Sequence, residues 1–404
     1  MEQRINLLEP GFFQDPYGYY DRMRAMGRLI PLEVPRAITP LYGVSHYADV
    51  GAMLKDPRYG RTFHGEPLSK RNPALFEAIA PLLSILNRWM LFMDPPHHTR
   101  LRGLVNKAFT PRVAERLRPS IQETTDHLLD EMAALGGGDL IAAFTYPLPV
   151  MVIAALLGVP LADRSKLREW SELLGRTIDT ASTFDDHRAA VPAAVAMGEM
   201  LKQIIADRRE HPQEDLITGL LRAQEADESL TEDEIIATCV LLLIAGHETT
   251  TNLIANGMLA LLQHPEQLRA LREDPELITP AVEEMLRYDP PAQQTARSVQ
   301  EDHEWAGQEL KKGDQVLLLL AAANRDPAQF PDPTRFDITR QENRHLSFGG
   351  GIHFCLGAPL ARAEAQIAVL TLVRRFPNLS LAASQVEWLP SLVFRNLKEL
   401  PVNL

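Results

Sequence analysis

Apolar residues recur at helical spacing through most of this 404-residue chain. Val113–Leu135, Arg164–Thr177, Val191–Arg209, Ile235–Gln263 and Ala358–Arg375 each keep apolar side chains on one face and polar ones on the other, which predicts helices. Strand-like patterning is confined to short pieces: Leu41–Val44, Arg297–Val299, Val316–Leu320 and the tail near Leu397–Val402. The sum is a mainly α protein with small β-sheets. Prolines are scattered and mark many short connections. No repeat, low-complexity tract or linker divides the chain, so residues 1–404 read as one domain.

The longest pattern opens with Thr231-Glu232-Asp233-Glu234, a capping box, and persists to His264-Pro265. At about 1.5 Å per residue such a helix spans roughly 50 Å. Its middle, Val240–Ala245, is apolar on every face and should be buried. Then comes Ala245-Gly246-His247-Glu248-Thr249-Thr250. A glycine, a carboxylate and a hydroxyl in mid-helix go against propensity, which points to a functional site; the plainer reading is a polar kink in a core helix. His247-Glu248 is no zinc-protease motif, because position 251 is threonine rather than a second histidine. Cys239, two turns earlier, reads as a small buried hydrophobe.

Composition narrows the field. A hydrophobic content of 45% is ample for a large core. A formal charge of −12 argues against a general nucleic-acid binder. Only two cysteines occur, Cys239 and Cys355, in unlike contexts, which is no disulfide framework and suits a reducing cytoplasm. No run of 18 apolar residues occurs, so no membrane span is expected, and Met1-Glu2-Gln3-Arg4-Ile5-Asn6 lacks the apolar stretch of a signal peptide.

The most specific chemistry lies in Phe348-Gly349-Gly350-Gly351-Ile352-His353-Phe354-Cys355-Leu356-Gly357. Glycines let this backbone turn tightly and approach a flat object, and the helix that follows aims its positive end at Cys355. A free cysteine in a glycine loop is the bland alternative. The pattern Phe-Gly-x-Gly-x-His-x-Cys-x-Gly resembles the haem-binding signature of the cytochrome P-450 (haem-thiolate monooxygenase) family. The resemblance runs from Asp15-Pro16-Tyr17 to Leu400-Pro401-Val402 and favours the soluble, bacterial type.

That resemblance implies a single, roughly triangular fold with haem b between the long central helix and the cysteine-loop helix. Cys355 would be the thiolate ligand of iron, with Phe348, Gly349 and Gly357 shaping its loop. The hexamer at 245–250 matches the oxygen-activation motif: Gly246 would leave room for dioxygen, Thr249 would hydrogen-bond the activated oxygen and hold a water, and Glu248 would link that water to solvent protons. His98 and Arg102, in Asp94-Pro95-Pro96-His97-His98-Thr99-Arg100-Leu101-Arg102, would bind the haem propionates together with Arg297 and His353; His97 stands where relatives often carry an acid. Thr279-Pro280 reads as a helix start, and within that helix Glu284 and Arg287, with Arg335 as third member, would form a structural ionic cluster behind the haem.

Substrate walls in this family come from segments that fall here at roughly Phe63–Phe92, Leu167–Met197, Leu242–Gly246, Ala292–Ala296 and Leu392–Phe394. Candidate contacts are Leu86, Trp89, Met90, Leu242, Ala245, Gly246, Gln293 and Phe394, each of which could equally be ordinary core. Pro73–Leu86 is helix-like and could close over a ligand. The expected reaction is hydroxylation, one atom of dioxygen entering a C–H bond of a sizeable hydrophobic molecule such as a fatty acid, macrolide or polyketide. Electrons would come from a ferredoxin or flavodoxin-type donor with its reductase, docking near Arg100, Lys107, Arg112 and Arg344. The alternatives are a peroxide-driven peroxygenase and a non-catalytic haem-based binder or sensor. The expected protein is a cytoplasmic monomer that binds neither membrane nor nucleic acid.

Overall fold

The structure is a computed structural model that describes residues 5–33, 39–62, 64, 68–160, 164–227 and 230–404. Of the expectations above, Met1–Arg4 and Phe63 lie outside the described residues.

Helices dominate, and the predicted ones are present. The central helix runs Glu232–Gln263. Its capping box is formed as read: Thr231 Oγ1 accepts from the Glu234 amide at 3.2 Å, and a Glu234 carboxylate oxygen accepts from the Thr231 amide at 2.9 Å. Nearly every side chain from Ile235 to Leu261 is buried, except around Leu242 and Ala245–Thr249. Against it pack Pro147–Leu157, Phe184–Glu210, Ile278–Tyr288 and Ala358–Arg375. Phe184–Glu210 and Glu232–Gln263 are long and apolar enough to cross a membrane by length and composition. In the fold their apolar faces meet other helices, and the window of the central helix is 67% buried.

Two helix starts differ from the sequence reading. The helix expected from Val191 begins at Phe184, where Thr183 and Asp186 form a capping box, and it carries Pro192 in its interior. Proline costs a helix interior one backbone hydrogen bond, and here tertiary packing outweighs that loss. Thr279 is not a cap, because the Ile278–Tyr288 helix starts one residue earlier, directly after a 3-10 turn at Pro275–Leu277. Pro73–Leu86 divides into Pro73–Ala78 and Ala80–Leu86.

The strands, in chain order, are β1 Ile5–Asn6, β2 Ile30–Glu33, β3 Leu41–Val44, β4 Tyr59–Gly60, β5 Gly137–Asp139, β6 Thr295–Val299, β7 His303–Trp305, β8 Gln308–Leu310, β9 Gln315–Leu318, β10 Ser380–Leu381 and β11 Pro401–Asn403. The main sheet has the order β1-β2-β3-β9-β6-β4. Its edge matters for the site. β4 runs antiparallel to β6 with Tyr59 opposite Val299 and Gly60 opposite Ser298. Continuing that register by one residue sets Arg61 opposite Arg297.

Candidate functional site

One cavity of about 360 Å³ runs between the central helix and the cysteine loop. Cys355, Phe348, Gly349, His353 and Gly357 line one side; Ala245, Gly246 and Thr249 line the other.

The cysteine loop has little freedom. The Cys355 amide donates to the Phe348 carbonyl at 2.9 Å, and the Gly349 amide to Leu346 at 2.8 Å. Gly351 has φ +64, and a Cβ there would lie 2.4 Å from the Leu54 carbonyl oxygen, so both backbone and space demand glycine. Burial pushes the Cys355 thiol above its usual pKa. The amides of Gly357 and Ala358 at the helix start, and the guanidiniums of Arg102 and Arg362, work in the opposite direction. Metal coordination at the sulfur would deprotonate this thiol outright. Cys239 is a contrast: burial pushes it up to about 12, as suits an inert core thiol.

The cationic corner is more crowded than expected. Arg297 and Arg61 both line the cavity and share the same neutral acceptors: each donates to Thr295 Oγ1 and to the Ala296 carbonyl, at 2.8–3.0 Å. Like charges opposite one another across a strand pair repel. Nearby Asp94 does not pair with either guanidinium, since it accepts the backbone amides of Arg61 and Thr62. Arg102 is the third guanidinium, donating to the Phe354 carbonyl at 2.7 Å. His98 is 2% exposed with neither ring nitrogen partnered, and His353 Nε2 is also unpartnered; their rings are 4.3 Å apart. Burial, then Arg61 and Arg297, push His353 down to about 3.

Three guanidiniums against one carboxylate leave two positive charges, and the orphaned imidazole nitrogens and Arg61 Nε face the same corner. A flat group with two carboxylates, as haem b is, fits this donor set. His98, Arg102, Arg297 and His353 thus come together as read. Arg61 was missed. Its signal is tertiary, because only the β4–β6 register brings it to Arg297. His97 is exposed at the helix start and takes no part.

On the other wall Thr249 Oγ1 donates to the Ala245 carbonyl at 2.8 Å, which leaves its lone pairs toward the cavity. Gly246 lines the cavity too, but its missing side chain faces Ile153, whose carbons would lie 3.1 Å from a Cβ; the glycine serves close helix packing as much as open space. Glu248 does not line the cavity. Its carboxylate is packed against Gly175 and accepts from Asn396 Nδ2 at 3.4 Å. Burial pushes it up to about 7, with Asn396 opposing and Asp179 and Glu172 adding to the rise.

Of the expected substrate contacts, Met90, Leu242, Ala245, Gly246 and Phe394 line the cavity. Leu86, Trp89 and Gln293 do not. Leu86 and Trp89 are core, and Trp89 stacks on Phe92 with ring centroids 5.9 Å apart. Gln293 turns away to Tyr20 and the Pro290 carbonyl. Neighbouring side chains on an extended segment face opposite ways, so Ala292 and Gln294 line the cavity instead.

The ionic cluster behind the site differs in one member. Glu284 and Arg287 are both fully buried and form a two-pronged pair, each bond 2.8 Å. The third member is Arg340, at 3.2 Å from Glu284, not Arg335. Arg335 supplies only its carbonyl, which accepts from Arg287 at 3.0 Å, while its side chain is 64% exposed. The turn at Asp332, with φ +47, faces that side chain outward, and the chain returns to Glu284 five residues later. Asn343 and the Asp337 amide complete the carboxylate's partners. A second cluster was not foreseen: Glu283 accepts from Arg362 at 2.6 and 2.8 Å and meets His345 at 3.0 Å, beside Phe348.

The Cytochrome P450 family profile matches residues 81–387. The chain is 47% identical over 393 residues to the biotin biosynthesis cytochrome P450 of Bacillus subtilis (strain 168), covering 97% of this chain and 96% of that protein. Among solved structures, P450BioI in complex with hexadec-9Z-enoic acid ligated acyl carrier protein superposes with a TM-score of 0.91 at 44% identity, over 98% of this chain and 100% of that one. The myxobacterial cytochrome P450 CYP267B1 in complex with myristic acid follows at 0.90 and 44%, over 98% of each. Motif, fold and relatives agree, and this chain belongs to the cytochrome P450 family, the haem b monooxygenases that use dioxygen.

Proposed function

We propose that this monooxygenase hydroxylates a long fatty acyl chain. The observation that carries the reading is the wall of the cavity beyond Thr249. Met90, Leu241, Leu242, Ile178, Val393 and Phe394 make it apolar, while Gln294 and Thr180 supply a polar pair joined at 3.0 Å. Two relatives support it: one is seen with an acyl-loaded carrier protein, the other with myristic acid.

When bound, haem b supplies oxygen activation at a thiolate-ligated iron. The chain's part is positional. Cys355 would present sulfur to the iron from the helix start, and Arg61, Arg102, Arg297, His98 and His353 would hold the two propionates. The apolar wall excludes bulk water from the reacting C–H bond. Thr249 would accept a hydrogen bond from a cavity water with the lone pairs its bond to Ala245 leaves free, and Glu248, pushed up to about 7 by burial, would exchange protons behind it.

Electrons enter from a separate ferredoxin or flavodoxin-type donor on the cysteine side. Ile352 and Phe354, flanking Cys355 in its loop, are 52% and 44% exposed, and the candidate docking cations Lys107, Arg112 and Arg344 are exposed as well. Arg100 is not available to a partner, because it pairs with Glu234. The same reading places a single-domain monomer in the cytoplasm, where two cysteines that form no disulfide suit a reducing medium.

The test is a titration of the ferric protein with tetradecanoic acid, read at the haem Soret band, followed by turnover with a surrogate ferredoxin and its reductase. A shift with saturation and a hydroxylated acid are expected. No shift with any long-chain acid, free or carrier-bound, would overturn the substrate assignment.

A further inference from the structure

Glu248 sits in a niche built from two distant segments. On one side is Gly175, near the end of the Arg164–Arg176 helix. A Cβ there would lie 2.7 Å from a Glu248 carboxylate oxygen. Glycine inside a helix is less favourable than alanine by roughly 0.8–1.0 kcal/mol, and the contact gives it a reason to be there. On the other side is Asn396, whose amide nitrogen donates to Glu248 at 3.4 Å. Asn396 is itself held: Asn252, one turn along the central helix from Glu248, donates to Asn396 Oδ1 at 2.6 Å.

Asn396 ends a short turn with a second duty. Val393 and Phe394 of that turn line the cavity. The turn is pinned by Asp179, which accepts from the Leu392 amide at 3.0 Å and from the Ser391 hydroxyl, and by Asn256, which donates to the Arg395 carbonyl at 3.0 Å.

We propose that Gly175 and Asn396 are positioning residues for Glu248, and that Asn396 couples the proton exchange of this acid to the substrate-facing turn Ser391–Asn396. Gly175 admits the carboxyl to a niche off the cavity. Asn396 fixes its orientation and favours its ionised form, so a ligand that displaces Phe394 alters the same turn that carries the acid's hydrogen-bond donor. The charged groups acting on Glu248 are acids, Asp179 and Glu172; Tyr146 also feels its charge, with His247 edge-on to the Tyr146 ring and the Arg168 guanidinium over its face. With acids on two sides, the single donor from Asn396 is the interaction that lowers the carboxyl's proton affinity.

This inference rests on the reading of Glu248 as the proton-exchanging acid. The experiment separates the two. In haem-loaded protein, the infrared carbonyl band of protonated Glu248, identified by its loss in Glu248→Gln, is titrated against pH. The product-to-peroxide ratio with tetradecanoic acid is followed over the same range. Asn396→Leu should raise both midpoints by ~0.5–1 unit, and the isosteric Asn396→Asp, which places a like charge beside the carboxyl, by ~1 unit or more. Gly175→Ala, which gains helix propensity and should fold, must displace the carboxyl and shift the band. Midpoints that stay put in the Asn396 variants, with an unmoved band in Gly175→Ala, overturn the positioning roles. A ratio unaffected by Glu248→Gln overturns the underlying reading of Glu248 as proton source.

Discussion

At the scale of single residues, function here shows up as groups in unfavourable places. Glu248 is the clearest case. Its folded-state pKa, about 7, lies above the ordinary carboxylate value, so the folded protein holds this proton more tightly than the unfolded chain does. The associated stability is fully present below the unfolded pKa and is lost as pH rises through about 7. Glu248→Gln removes the penalty. The variant should melt ~2 °C above the parent at pH 8 and at nearly the same temperature near pH 4.5. Thermal melts at the two pH values check this, and a variant that melts lower at pH 8 contradicts it. The two local motifs were legible because their chemistry is local: glycines bend the cysteine loop within ten residues, and the acid–alcohol pair sits within one turn. Arg61 was not, since only strand pairing places it against Arg297. Gln293 was mistaken for its neighbour because an extended segment reverses its facing at every residue.

At the scale of elements, the two ionic clusters bind the Ile278–Tyr288 helix to different partners. Glu284 faces the loop that carries Arg340, and Glu283 faces the helix after the cysteine. Arg340→Ala should therefore cost about 1.5–3 kcal/mol, the value of a hydrogen bond to a charged group, while Arg335→Ala should stay within roughly 0.5 kcal/mol of the parent. Denaturant unfolding of both variants decides whether the structure or the linear motif names the third member. Glu283 carries a pH signature. Burial opposes its charge, but Arg362 and His345 overcome this and hold it down at about 2. A depressed carboxylate contributes stability above its unfolded pKa and loses it as the folded group is protonated. Support for the cysteine loop should fade between about pH 4 and pH 2, and Glu283→Gln should show a shallower acid dependence of haem release. An equal slope in parent and variant would remove Glu283 from the acid response. The helix pattern named these elements well, because burial on one face writes itself into the sequence. It misjudged one start, reading the helix from Val191, while the true signal, Thr183 with Asp186, lies eight residues earlier.

At the scale of the whole molecule, the net charge of −12 and the proposed docking cations Lys107, Arg112 and Arg344 would act on different ranges. A docking donor senses the nearby patch, and distant charge is screened beyond ~8 Å at physiological salt. Reduction should slow as salt rises, and Lys107→Glu or Arg112→Glu should slow it further with the Soret titration unchanged. Rates indifferent to both would mean that the donor docks elsewhere. The resemblance named these cations, but no helix pattern marks them, because they come from segments remote in the chain.

The capping box of the central helix has a wider consequence. Glu234 closes the first turn of that helix and also pairs with Arg100, which lies between His98 and Arg102 on the His97–Ala108 helix. One carboxylate therefore joins the frame of the cofactor's propionate corner to the start of the helix that carries Thr249. Occupancy of one and order in the other are thermodynamically linked. Whatever secures the cofactor also suppresses fraying at the head of the central helix, so the protein's tolerance of heat should be a property of its loading with haem as much as of its chain.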